Sequence, residues 1–141
     1  MNRLLTSTLA LLFLTSPLAQ AFELKAGKWG VTTTIASPMS PQPQEEYTEQ
    51  CIEDSDFDPL AEMMDSQMSS MCELKVNSDS PTRLDADLTC NMPGAGTMSG
   101  NMEFRANGNS AEGEMRMSMA FNGQSIDMTN TWEARYLGAC N

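Results

Sequence analysis

The sequence contains no histidine. That absence removes the usual general base near neutral pH, the Ser–His and Cys–His nucleophile pairs and the commonest ligand for transition metals. Basic residues are also scarce: eight Lys and Arg stand against nineteen Asp and Glu, for a net charge of −11. A surface of that sign repels phosphate backbones, so no nucleic-acid partner is expected, and the charge is read as what keeps the chain dispersed in solution. The four cysteines, Cys51, Cys72, Cys90 and Cys140, contain no C-x-x-C pair. Beyond the first two dozen residues there is no internal repeat and no apolar run long enough for a membrane span, so no transmembrane anchor is expected.

What is present begins with a leader. Met1-Asn2-Arg3 is a short positive start, Leu4 to Leu14 is apolar, and Ala19-Gln20-Ala21 is an A-x-A cleavage site. This pattern predicts a cleaved signal peptide over residues 1–21 and a single β-rich domain over residues 22–141. No cysteine follows the cleavage site, so no lipid-anchored mature form is expected. Loss of Arg3 takes the net charge from −11 to −12. Four cysteines in an exported chain predict two disulfides rather than a zinc site, and a periplasmic or secreted location.

Along the chain, Trp29, Val31, Thr33 and Ile35 alternate as one side of a first strand. Ser37 to Gln44, with Pro38, Pro41 and Pro43, reads as a loop, and Tyr47 to Ile52 as a second strand. Asp58-Pro59 supplies an N-cap and a first-turn proline for one amphipathic helix. Its apolar stripe is Phe57, Leu60, Met63, Met64, Met68 and Met71. Two alternating strands follow, Cys72–Val76 and Leu84–Cys90, around a turn at Ser78–Pro81. If Leu74 faces Leu88, Cys72 faces Cys90 within disulfide reach. Sequence alone allows three pairings; this register favours Cys72–Cys90, leaving Cys51–Cys140.

Two Asn-Gly dipeptides, Asn107-Gly108 and Asn122-Gly123, predict two-residue hairpin turns. Read as turn centres, the first sets Phe104 opposite Ala111, Met102 opposite Gly113, Gly100 opposite Met115 and Met98 opposite Met117. The second sets Met119 opposite Ile126, Met117 opposite Met128, Met115 opposite Asn130 and Gly113 opposite Trp132. Both collect the apolar residues on one face and Glu103, Arg105, Glu112, Glu114, Arg116, Asp127, Glu133 and Arg135 on the other. Gly113 would leave room between Met102 and Trp132, and Gly100 beside Met115. The predicted fold is mainly β: an antiparallel meander forming a curled sheet or incomplete barrel, with the helix packed on it.

The set Gly27-x-Trp29 with Thr32–Thr34, Thr48-x-Gln50-Cys51, the Cys72 strand, Thr89-Cys90, Gly113-x-Met115-x-Met117 and Gly138-Ala139-Cys140 resembles a secreted proteobacterial family, domain of unknown function 3617. The resemblance spans nearly the whole chain after the leader. It implies a Gram-negative periplasmic setting and brings no activity, cofactor or catalytic residue.

Three chemistries remain to weigh. The apolar face of Met98, Met102, Phe104, Met115, Met117, Met119, Ile126, Met128 and Trp132, roofed by Leu60, Met63, Met64 and Met68, could accept an apolar small molecule or a partner segment. Met98, Met117 and Met128 lie side by side in the inferred registers, and three thioethers suit Cu(I) or Ag(I). No histidine or thiolate supplements them and methionine is equally a core filler, so the row is read as core or pocket lining. Asp54, Asp56 and Asp58, with Asp65 at the twelfth place, imitate a calcium loop, but Pro59 stands where that loop needs glycine. No spacing singles out catalytic carboxylates. The expected protein is a non-enzymatic binding or envelope-associated protein without a cofactor; the alternatives are a soft-metal binder and a purely structural or protein-interaction module.

Overall fold

Seven strands form one antiparallel sheet in the computed structural model, which describes residues 21–54, 57–64, 68–94 and 96–140, without the side chains of Met68 and Phe121. In chain order they are β1 (Gly27–Ala36), β2 (Gln44–Ile52), β3 (Cys72–Ser80), β4 (Arg83–Met92), β5 (Gly96–Asn107), β6 (Ser110–Phe121) and β7 (Gln124–Gly138). The spatial order is β2-β1-β7-β6-β5-β4-β3. The sheet is open, with β2 and β3 as its edges. The expected curling or partial closure is therefore corrected. Both edges carry features that resist pairing: β2 bears Glu45, Glu46 and Glu49, and β3 is interrupted by a bulge between Val76 and Ser78. Of the signal-peptide reading over residues 1–21, all but Ala21 lies outside the described residues, as do Asp56 and Asp65 of the calcium-like run.

The turns explain the registers. Asn122 and Gly123 both have positive φ, 49° and 79°, as a type I′ turn requires, and Phe121 pairs with Gln124. The β6–β7 register is thus the one predicted, including Met117 opposite Met128 and Gly113 opposite Trp132. The first hairpin differs. Its turn residues are Gly108 and Asn109, because Asn107 pairs with Ser110, and only Gly108 takes a positive φ, 61°. This is the II′ pattern, glycine first. Moving the turn by one residue shifts every partner by two, so the inward face survives but the partners change. Phe104 faces Gly113, Met102 faces Met115, Gly100 faces Met117 and Met98 faces Met119.

The core lies on the inward face of β4 to β6, where Leu84, Ala86, Leu88, Cys90, Met102 and Met115 are buried together with Phe22 and Leu60. Opposite them the outer face is charged and solvated, with Arg83 and Arg105 on Glu103 and Arg116 on Glu114. The predicted long helix is replaced by two short pieces, α1 (Pro59–Met63) and α2 (Met68–Met71). The predicted start is correct: Asp58 accepts from the Leu60 and Ala61 amides at 2.9 and 3.2 Å, and Pro59 opens the first turn. Met64 then leaves the helical region at φ −94°, ψ 73°. The chain from β2 to β3 crosses from one edge of the sheet to the other, about 29 Å at ~4.8 Å per strand. A helix advances ~1.5 Å per residue and an extended chain ~3.3 Å, so a short helix leaves more reach for this crossing.

Both disulfides are those predicted, Cys51–Cys140 and Cys72–Cys90, with Cα atoms 5.8 and 3.9 Å apart. They indicate an oxidising, extracytoplasmic location. Among the described residues no helix is long and apolar enough to cross a membrane.

Candidate functional site

Small side chains on adjacent strands open a cleft on the inward face. One cross-strand row runs Ala106, Ala111, Ala134, Val31, and the next runs Phe104, Gly113, Trp132, Thr33. Ala111, Gly113 and Ala134 form a low floor between taller walls. A Cβ at Gly113 would lie 2.7 Å from Phe104 and 3.1 Å from Trp132, so only glycine lets the two rings stack across it, centroids 5.7 Å apart and 24° between planes. Gly113 thus separates Phe104 from Trp132, not Met102 from Trp132, and Gly100 lies beside Met117 rather than Met115.

Trp29 closes the next wall. It is 1% exposed, donates its indole N–H to the Lys25 carbonyl at 2.8 Å and meets Tyr136 edge-on at 5.6 Å. A register shift beside Lys28 brings Trp29 opposite Tyr136 and lets Leu137 fall out of the pairing. The roof combines α1, through Pro59 and Met63, with Phe57 and with Phe22 and Leu24 of the segment before β1. The cleft is open on one side and its volume is about 270 Å³, just below the usual range of small-molecule sites. Its polar lining is confined to Gln50, Glu62 and Glu112.

The residues singled out from sequence are distributed unevenly about this cleft. Phe104, Trp132 and Met63 line it. Leu60, Met102 and Met115 are consumed in the core, with Met64, Met98 and Met117 packed against them. Met119, Ile126 and Met128 are half-buried at the far end of β6 and β7, and the Met68 side chain is outside the described residues. The proposed row Met98–Met117–Met128 is corrected: Met98 pairs with Met119, while Met117 pairs with Gly100 and Met128, so the three thioethers do not share one cross-strand row. Sequence reading missed Phe22, Leu24, Trp29 and Ile52 as cleft residues. The available signal was the tryptophan content: the chain has two tryptophans, and both line the cleft.

Lys28 and Glu49 pair across β1 and β2, raising the lysine and lowering the glutamate, chiefly through their mutual hydrogen bond. On the outer face the β3 bulge frees the Asn77 amide to donate to Asp85 and Asp87 at 3.1 and 2.8 Å, and Asn101 donates to Asp87 at 3.0 Å. These amides, Asn77 first, hold the Asp87 carboxyl below its usual range. A carboxyl lowered by folding adds stability above its unfolded pKa, and that stability is lost as pH falls through the folded value. Asn77→Ala is therefore expected to move the Asp87 titration midpoint upward when followed by carboxyl-carbon NMR. An unmoved midpoint would show that the amide is not responsible.

No curated protein and no solved structure matches the chain. A family model described as protein of unknown function (DUF3617) matches residues 24–140, which include all seven strands, all four cysteines and nearly all of the cleft lining. The chain belongs to the DUF3617 family.

Proposed function

We propose that this is a non-enzymatic periplasmic binding protein that takes an apolar molecule, or an apolar side chain of a partner segment, into the cleft between α1 and the sheet. The observation that carries this reading is the cleft itself: about 270 Å³ walled by Trp29, Phe104 and Trp132 over a floor of alanine and glycine. That volume holds about nine water-sized groups, enough for a single ring system or a short acyl chain. The chain supplies no histidine, and its described cysteines are all in disulfides, so the usual nucleophile systems are not assembled. The site moves from the methionine face to an aromatic one. Rigid rings hold an open shape at little entropic cost, whereas Met102 and Met115 fill the adjoining core.

Because both tryptophans border the cleft, binding is readable by energy transfer to a neutral probe. N-phenyl-1-naphthylamine added to the exported protein is expected to give saturable transfer at one probe per chain. Gly113→Leu and Ala111→Leu, which fill the floor from two positions, should each weaken binding at least tenfold, a difference of about 1.4 kcal/mol. Probe binding unchanged in both variants would sink the reading.

A further inference from the structure

The chain segment ahead of β1 is anchored by an unusual arrangement. Phe22 is 6% exposed, its ring 6.4 Å from Phe104, and its backbone nitrogen donates to Asp79 Oδ1 at 2.7 Å. The Glu23 amide donates to the Pro81 carbonyl at 3.2 Å. Asp79 reaches this place because of the β3 bulge. Before it, Cys72, Leu74 and Val76 pair with Cys90, Leu88 and Ala86 on the inward side; after it, Asp79 pairs with the buried Leu84. The extra residue turns the carboxylate toward the core side, where Phe22 arrives. The hollow around the Phe22 nitrogen is lined by Glu23, Asp58 and Asp79 and by no lysine or arginine. Among the described residues no basic side chain forms an ion pair with any of these carboxylates, although Asp58 caps α1.

We infer that cleavage after Ala21 makes Phe22 the first residue and seats its new ammonium group on Asp79, so that removal of the leader locks one wall of the cleft onto the sheet. Hydrolysis of the Ala21–Phe22 peptide bond consumes one water, leaving a carboxylate on Ala21 and an ammonium on Phe22. A hydrogen bond from a neutral amide is thereby replaced by one from a cation, roughly twice as strong, in a hollow whose other charges are all negative. Phe22 borders both this hollow and the cleft, so the ion pair would strengthen a wall that Phe22 already forms. The inference rests on the leader reading of residues 1–21, and on the cleft reading only for its consequence.

Intact mass of the exported full-length chain is expected to place the first residue at Phe22; any other terminus overturns the inference at its premise. The melting temperature is then compared for that protein and for a chain with one glycine inserted between Ala21 and Phe22, which moves the amine outward by about 3.8 Å. Asp79→Asn is expected to lower the melting temperature of the first by about 3–5 °C and of the second by half that or less. Equal losses would mean that Asp79 serves only the backbone amide, and would overturn the ion pair. Labelling with an α-amine-selective reagent gives an independent readout. The Phe22 amine should react several-fold faster in Asp79→Asn than in the parent, and equal rates would also overturn the ion pair. None of these measurements depends on probe binding, so failure of the cleft reading would be distinguishable.

Discussion

Replacing Cys51 and Cys140 together by alanine is expected to cost about 4–5 kcal/mol of folding stability, a large share of what a domain of this size possesses. The two cysteines are 89 residues apart in sequence, so the bond removes a large loop-closure entropy from the denatured chain. Its position magnifies the effect. Cys51 pairs with Lys28 of β1, and Lys28 pairs with Gly138 of β7, so the bond from Cys51 to Cys140 spans β1 and ties three strands at one corner. Both cysteines are exposed, so their replacement leaves no cavity and the loss is one of constraint. The Cys72–Cys90 bond closes only 18 residues, and the same relation assigns it about 3 kcal/mol. Guanidinium unfolding of the oxidised parent and the two double variants checks this, with the steeper dependence on denaturant expected for the chain lacking Cys51–Cys140. A loss below about 1 kcal/mol for Cys51→Ala with Cys140→Ala would refute the constraint argument.

Trp29→Ala is expected to cost about 3–5 kcal/mol. The indole is almost fully buried, its N–H is satisfied by the Lys25 carbonyl, and its edge contact with Tyr136 adds about 0.5–1.5 kcal/mol beyond area burial. Lys25 in turn sits over the Tyr136 ring, its Nζ 3.9 Å from the centroid, so the truncation loosens the strap leading into β1 as well as the wall. Trp29→Phe retains much of the packing and loses the hydrogen bond, for an expected cost of about 1–2 kcal/mol. Thermal and chemical unfolding measure both. Near-equal stabilities of Trp29→Ala and the parent would show that this corner is not packed as described.

The patterns legible beforehand were those with local physical causes. Strict alternation along β5, β6 and β7 follows from the two-residue period of a strand, so the division into a charged and an apolar face could be read directly. Asn122-Gly123 admits one tight turn, and its register followed without error. Asn107-Gly108-Asn109 admits two, an I′ turn on the first pair or a II′ turn on the second, and nothing local separates them. The observed choice sets the large Phe104 against the smallest residue, Gly113, and lets its ring stack on Trp132 one strand further on. A row across three strands decides that register. The helix shows the same limit: the Asp58 cap is local and was read correctly, whereas the early stop at Met64 accompanies a crossing of the whole sheet.

By itself, the sequence determined the inward face of the long strands, where the cap and one hairpin lie, and which chemistries the chain cannot assemble from histidine, and it favoured the cysteine pairing that the structure shows. These depend on side-chain period, turn geometry and composition, all properties of neighbouring residues. Only the tertiary structure decided that the sheet stays open, that Met102 and Met115 are taken into the core, and that Phe22, Trp29, Phe104 and Trp132 line the cleft. A void belongs to no single segment: it exists where small residues of β6 and β7 come to lie between large ones brought from β1, β5 and the chain's leading end.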